Sequence, residues 1–305
     1  MRVAIVGAGA LGSVYGSRLA TYAGCDVSVV ARAPCPPGTE RLERVEDGEV
    51  LRWAVPARLT AAPLDADVIL AFVRYEQLDS LRARVTGSAA PVVVMTPMMP
   101  QDHASLAAAL PGRIVTGMPS VVSYRNEAGA IRYWLPKMAT TFVDEGNAPS
   151  DGVLAELVKR LTRADIGAKL APDVLARNVA TTVSFIPLAM ALDVAGSIDA
   201  VLHDGDLLSL ALRAADEGRD LGKTVGKAEA WASMLLRFVG PMTLKVGVGL
   251  ARSRAPEAVA YVEQHFGRKL HAQNVAMARR IVELAVQKGT SHEALATLLQ
   301  RLTQK

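Results

Sequence analysis

Gly7-Ala8-Gly9-Ala10-Leu11-Gly12 joins an apolar run, Val3 to Val6, to a helix-like segment, Leu11 to Thr21. Three glycines at this spacing can hold a pyrophosphate. Gly7 lets the chain turn tightly off a buried strand, and Gly9 lets backbone amides approach the phosphates. Gly12 lets the helix press on the sheet, with its positive N-terminus aimed at the ligand. Such a motif is common, but here it sits between strand and helix. A second apolar run, Asp26 to Val30, completes a βαβ start.

The end of that second run bears on which dinucleotide is held. Binders of NAD usually place an Asp or Glu there, about twenty residues after the glycines, to hold the ribose hydroxyls. This chain instead reads Val29-Val30-Ala31-Arg32, with no carboxylate until Glu40. A guanidinium suits the extra 2′-phosphate of NADP, because the two pair through parallel hydrogen bonds. The expected cofactor is NADP(H); the alternative is a solvated arginine at a strand end.

The elements that must position these groups follow from length and pattern. The chain has 305 residues, too many for one compact core and suited to two domains. Half the residues are hydrophobic and 21% charged, an ordinary globular balance. A net charge of only +4, with no basic run, excludes nucleic acid as an expected partner. Cys25 and Cys35 are too few for a disulfide framework and lack metal spacing, and the first strand leaves no room for a cleavable signal; a cytoplasmic location is expected. The most apolar segment, Val179 to Ala195, contains Pro187 and Asp193 and reads as a core helix, not a membrane span.

After Arg32, Ala-Pro-Cys-Pro-Pro-Gly reads as a rigid loop, and Glu49 to Leu59 as a weak strand pair. Asp67–Val73, Pro91–Thr96 and Arg113–Gly117 read as strands, with a helix over Asp102–Leu110. Strands alternating with helices imply a doubly wound parallel sheet with ligands beyond the carboxyl ends, where Arg32, Arg74 and the Thr96–Pro100 turn lie. Val121–Arg125 and Ala130–Trp134 read as an antiparallel pair, Met138–Val143 as a strand and Ser150–Ala164 as a helix. Beyond about Leu170 only helices are expected: Pro172 to about Val194, Asp206–Leu221, Lys227–Phe238, Pro256–Gln287 and His292–Leu302. The predicted fold is α/β, with a Rossmann-type dinucleotide domain over residues 1–170 and an all-helical substrate and dimerisation domain over 171–305.

This combination of glycine motif, arginine-terminated second strand and helical second half resembles the ketopantoate reductase family along nearly the whole chain. The resemblance implies reduction of a 2-keto acid by hydride transfer from NADPH in the interdomain cleft. It implies that Arg74, after the fourth strand, also reaches the 2′-phosphate. Ser233-Met234 matches a family Ser-Met pair, and Ala164 to Asp173 looks like the segment leading into the catalytic helix. The family's chemistry uses a Lys and an Asn one turn apart on that helix, an Asn-Gly after the fifth core strand, and a late Glu. Here Arg177 and Thr181 stand at the first two positions, with Asn178 the family-like amide if the register slips by one. Thr96-Pro97 replaces the Asn-Gly, and Gln273 the Glu.

A divergent member lacking the usual lysine needs other chemistry. An arginine keeps its proton near neutral pH, so Arg177 is a poor general acid. It can still clamp a carboxylate or stabilise a developing alkoxide; the bland alternative is an ion pair at the domain junction. Tyr75, or a stripe of Glu263, His265, Lys269 and Gln273 on one long helix, are candidate proton donors, with packing and a solvated helix face as their alternatives. His103, His203, His271 and His292 are scattered, and no metal site is expected. The expected substrate is a small carbonyl compound carrying a carboxylate. Rival readings are a dehydrogenase of the same plan acting on 3-hydroxy acids, and a non-catalytic NADP-binding sensor or partner-binding protein. A homodimer through the helical half is allowed.

Overall fold

The computed structural model describes residues 1–137, 139–146, 152–225, 241–254 and 256–304. The chain divides into two compact units, Met1–Leu175 and Ala176–Lys305. The first unit begins β1 (Arg2–Val6), α1 (Ala10–Ala23), β2 (Asp26–Val30), β3 (Gly38–Arg44), β4 (Val50–Val55), β5 (Arg58–Leu59) and β6 (Val68–Ala71). It continues with α2 (Leu81–Val85), β7 (Val92–Val94), α3 (Pro100–Ala109), β8 (Ile114–Met118), β9 (Val122–Arg125), β10 (Ile131–Trp134), β11 (Thr141–Asp144), α4 (Val153–Arg163) and β12 (Ala168–Ala171).

Eight strands form one sheet in the order β12-β11-β8-β7-β6-β1-β2-β5. From β5 to β8 every pairing is parallel, the order of a doubly wound dinucleotide fold. β6 and β7 are buried throughout, as strands covered on both faces should be. β11 then runs antiparallel to β8, and β12 parallel to β11. β12 lies in the stretch read as the lead into a helix. Its Lys169 stem crosses the Phe142 ring, 5.0 Å from the centroid, and an amphipathic edge strand of this kind carries little apolar signal.

The second sheet, β4-β3-β10-β9, corrects two expectations. The segment read as a strand pair over Glu49–Leu59 divides between the sheets: β4 pairs with β3 and β5 with β2. β3 was unforeseen because its inward positions are Glu40 and Leu42, and a buried carboxylate hides the alternation. The expected antiparallel pair over Val121–Trp134 is present as β9 and β10. α1 lies between the two sheets, its Tyr15 and Leu19 in one core with Val3, Val29, Leu42, Trp53 and Ile131. A Cβ at Gly16 would sit 3.1 Å from the Trp53 ring and 3.3 Å from Ile5, so glycine there lets both layers close on the helix.

Arg18 of α1 is only 2% exposed. Its guanidinium donates to the Ala164 carbonyl (2.6 Å), the Tyr133 hydroxyl (3.0 Å) and Glu49 (3.1 Å), and it stacks on Tyr22 at 4.6 Å. One cation thus ties α1 to the small sheet and to the end of α4.

The second unit's described elements are helices. They are most of α5 (Val174–Ala195), then α6 (Ile198–His203), α7 (Gly205–Val225), α8 (Pro241–Arg254), α9 (Pro256–Phe266), α10 (His271–Lys288) and α11 (Glu293–Thr303). The helix expected over Lys227–Phe238, with Ser233-Met234, and the start of the strand expected from Met138 lie outside the described residues. By length and apolarity α5 passes for a membrane span, yet 67% of its most apolar window is buried. Pro187 removes the N–H that would bond the Val183 carbonyl. α7 meets α5 at that carbonyl: a Cβ at Gly218 would lie 1.9 Å from it. The single helix expected over Pro256–Gln287 is broken at Gly267 by a 3-10 turn, Arg268–Leu270. Asn274 donates to the Phe266 carbonyl (3.1 Å) left open at the end of α9, which stabilises the break.

Replacing Arg18 with Ala leaves the Ala164 carbonyl and the Tyr133 hydroxyl without their cation in a partly dry site, while Glu49 keeps Tyr22 and Arg44. Urea unfolding should show the amino-terminal unit weakened by about 1–3 kcal/mol; no measurable change would show that water replaces the guanidinium without penalty.

Candidate cofactor-binding site

The site is built on backbone geometry. Gly7 follows β1 with φ +104, and a Cβ there would stand 2.5 Å from the Phe72 carbonyl oxygen. Its N–H donates to the Val30 carbonyl (3.1 Å), which fixes the turn against β2. A Cβ at Gly12 would lie 2.2 Å from the Gly7 carbonyl oxygen. Only glycine at both positions lets α1 start so close to the strand end. Gly9 differs, since a Cβ built there meets nothing within 4 Å and its open face is where a ligand can approach.

Gly9 is the N-cap of α1, with no side-chain cap and no acidic residue in the first turn. The first helical bond runs from the Ser13 N–H to the Gly9 carbonyl at 3.0 Å. The amides of Ala10, Leu11 and Gly12 therefore precede the ladder and carry the helix's positive end, a geometry that accepts a pyrophosphate. Ala8 sits in the loop and is half-buried.

Because β2, β1, β6 and β7 are parallel neighbours, the residues after them share one edge of the sheet. Arg32 follows β2, is exposed, and has no ion pair or hydrogen bond among the described residues. Arg74 follows β6, half-exposed, with Glu76 3.9 Å away. Two strand spacings put these two strand ends about 10 Å apart, with the glycine loop between them. Glu40 is not a ribose-binding acid at the β2 end: it stands on β3, 8% exposed, with Arg58 and Arg125 on one of its oxygens.

Thr96, after β7, is buried, and its hydroxyl donates to the Val73 carbonyl, so that proton locks two strand ends together. Tyr75 is buried and donates to Asp102, which also accepts from the Met99 N–H at the start of α3 (3.1 Å). Its role is packing and capping.

The other predicted residues lie in the helical unit. On α5, Arg177 is exposed and Thr181 partly so, whereas Asn178 and Thr182 are 3% and 8% exposed. A residue step on a helix turns about 100°, so the two pairs occupy adjacent faces, and the buried pair corresponds to the slipped register. Gln273 is half-buried in the first turn of α10. The proposed stripe does not form. Glu263 accepts from the Ile198 N–H (2.9 Å), His265 stacks on Tyr261 (4.8 Å), and Lys269 lies in the 3-10 turn.

Sequence reasoning missed one cluster. Asp193 on α5 is 2% exposed and accepts from His271 Nδ1 at 3.0 Å and from Asn274 at 3.3 Å. The His271 side chain is 47% exposed, and its ring is held by that buried carboxylate. The partners of Asp193 lie 78 and 81 positions away, which no local pattern reveals.

With this geometry established, the chain can be compared with known proteins. The family model described as Ketopantoate reductase PanE/ApbA matches residues 3–142. The match covers 140 of the chain's 305 residues, the dinucleotide-binding half. A 2-dehydropantoate 2-reductase from Geobacter metallireducens GS-15 is similar in structure, with 18% identity over 100% of this chain and 99% of its own and a TM-score of 0.74. A dimeric ketopantoate reductase from Staphylococcus aureus gives 12% identity, 99% and 98% coverage and a TM-score of 0.70. D-mandelate dehydrogenase, solved with NADH and anilino(oxo)acetate, gives 14%, 99% and 97%, and 0.65. At these identities the likeness shows the fold, a Rossmann-type unit followed by a helical one. No curated protein sequence matches the chain.

Within this family domain the glycines separate fold from binding. Gly9→Ala should leave the urea midpoint unchanged yet weaken dinucleotide binding about tenfold to a hundredfold, because the new methyl stands on the open face and holds a phosphate off the amides. Gly12→Ala should instead lower stability by about 1–3 kcal/mol, because a carbonyl blocks the new methyl. Calorimetric titration with NADPH beside urea unfolding separates the two, and equal binding by Gly9→Ala would remove the loop from ligand contact.

Proposed function

We propose that the protein is an NADPH-dependent reductase of a small 2-keto acid, or a related carbonyl compound carrying a carboxylate. The observation that carries this reading is the sharing of one sheet edge by an uncapped helix N-terminus and two arginines, Arg32 and Arg74. In this reading the amides of Ala10, Leu11 and Gly12 hold the pyrophosphate, and the two guanidiniums take the 2′-phosphate. A D-mandelate dehydrogenase of the same fold was solved with NADH, so the fold alone does not choose between cofactors. The NADPH reading rests on the side chains after β2 and β6.

The bound cofactor supplies a hydride to the carbonyl carbon. Arg177 clamps the substrate carboxylate or stabilises the alkoxide, and Thr181, one turn on, adds a hydroxyl donor. A guanidinium keeps its proton, so the carbonyl oxygen takes its proton from water or from another side chain. Association of two copies through the helical unit belongs to the same proposal, supported by Phe185 of α5, 44% exposed.

Arg32→Ala should weaken NADPH by about 1–3 kcal/mol and leave NADH unchanged. Equal wild-type affinity for the two cofactors would sink the NADP reading. NADPH oxidation across a panel of 2-keto acids tests the reaction, and tight binding without turnover on any would identify an NADP-binding sensor instead.

Arg177→Ala should raise KM for carboxylate-bearing substrates about tenfold or more, the loss of one charged contact. Unchanged steady-state kinetics with an intact fold would remove Arg177 from the substrate.

A further inference from the structure

Beside the glycine loop, Ala8, Gly12, Ser13, Val29, Trp53 and Arg58 meet in one closely packed seam. Arg58 is the cation of this seam. It opens β5, pairs in register with Val29 of β2, and donates its N–H to the Cys35 carbonyl at 2.8 Å. The loop that carries Arg32 is thereby fastened to Arg58, and both arginines stand at the carboxyl end of β2. Paired parallel strands lie about 4.8 Å apart, so Arg58 starts one strand away from Val29, three positions before Arg32.

The charges around Arg58 are arranged to hold it without neutralising it. Glu40 Oε1 accepts from Arg125 at 2.9 Å and from Arg58 at 3.3 Å. Arg125 is also anchored to the Gly129 carbonyl at 2.8 Å. Arg58 has only its single long bond to Glu40 among the described residues, and four of its five donors stay open. Two guanidiniums on one carboxylate leave one positive charge in surplus. Glu40 Oε2 is itself buried without a partner, an arrangement that serves stability poorly. The surplus positive charge and open donors of Arg58 suit a cation held ready for an anion.

We infer that Arg58 is a third guanidinium of the adenosine-ribose phosphate site, with Glu40 as its positioning residue. This rests on the NADPH reading above. It extends that site along the sheet edge to β5, and gives the adenosine half a cation that no glycine motif announces.

The test uses the full-length protein and two probes of the adenosine half, adenosine 2′,5′-bisphosphate and ADP, titrated by calorimetry. Wild type should bind the bisphosphate more tightly. Arg58→Ala should lose about tenfold or more for the bisphosphate and less than about twofold for ADP. Should Arg58→Ala melt early, Arg58→Gln keeps a hydrogen bond to Glu40 and should show the same selective loss. Glu40→Gln separates positioning from charge. It raises the local positive charge, yet should weaken the bisphosphate several-fold because Arg58 is no longer held. A gain in affinity there would overturn the positioning role. A folded Arg58 variant with the wild-type ratio of affinities would overturn the inference while leaving Arg32 and Arg74 in place. A wild type indifferent to the 2′-phosphate would overturn the NADPH reading and this inference together.

Discussion

The approach of α1 to the end of β1 is the constraint on which the amino-terminal unit depends. With Gly12 a would-be Cβ only 2.2 Å from the Gly7 carbonyl oxygen, the helix starts at the sheet edge itself. Its unpaired amides then point where the parallel strands end. Parallel pairing, in turn, requires crossover connections, which bring the residues after β2, β6 and β7 to that same edge. Arg32 and Arg74 need no special loop to converge. They converge because the strands do.

The same helix is closed on its far side by the small sheet, and the closure places charge in the interior. Arg18 and Glu40, 2% and 8% exposed, are the buried charges of this layer. Buried charges seldom add stability over a well-packed apolar pair, but removing one partner costs several kcal/mol. Arg18 is well satisfied, with a carbonyl, a hydroxyl and a carboxylate around it, and its role is to fix the angle between layers. Glu40 has one orphaned oxygen and two arginines on the other. The contrast separates a fully satisfied structural cation from a carboxylate whose two oxygens are unequally partnered.

What could be read from the chain follows from how local each signal is. The glycine motif, the strands of the doubly wound sheet and the helical second half are written in neighbouring residues, and each appears near its expected place. β3 escaped because Thr39-Glu-Arg-Leu-Glu-Arg44 looks like a charged helix face, and only burial opposite α1 makes Glu40 and Leu42 inward positions. The break at Gly267 escaped because apolar periodicity continues across it, while the Asn274 side chain that satisfies the Phe266 carbonyl lies eight residues on. Arg18, Glu40 and the Asp193–His271 pair have decisive partners dozens of residues away, and no pattern in one sequence announces them.

The two halves of the candidate chemistry therefore tolerate change differently. Phosphate binding at a helix start is performed by backbone amides, so it survives any side-chain drift that spares Gly7 and Gly12. Substrate binding on α5, as proposed, would be performed by side chains, and one residue of register turns the helix by about 100°. Arg177 with Thr181 and Asn178 with Thr182 are thus alternative faces of one scaffold, one open and one buried. Neither face holds a group that releases a proton near neutral pH. Under the proposed reaction the carbonyl compound needs one hydride and one proton, and the nucleotide-binding half, however well preserved, would supply only the first.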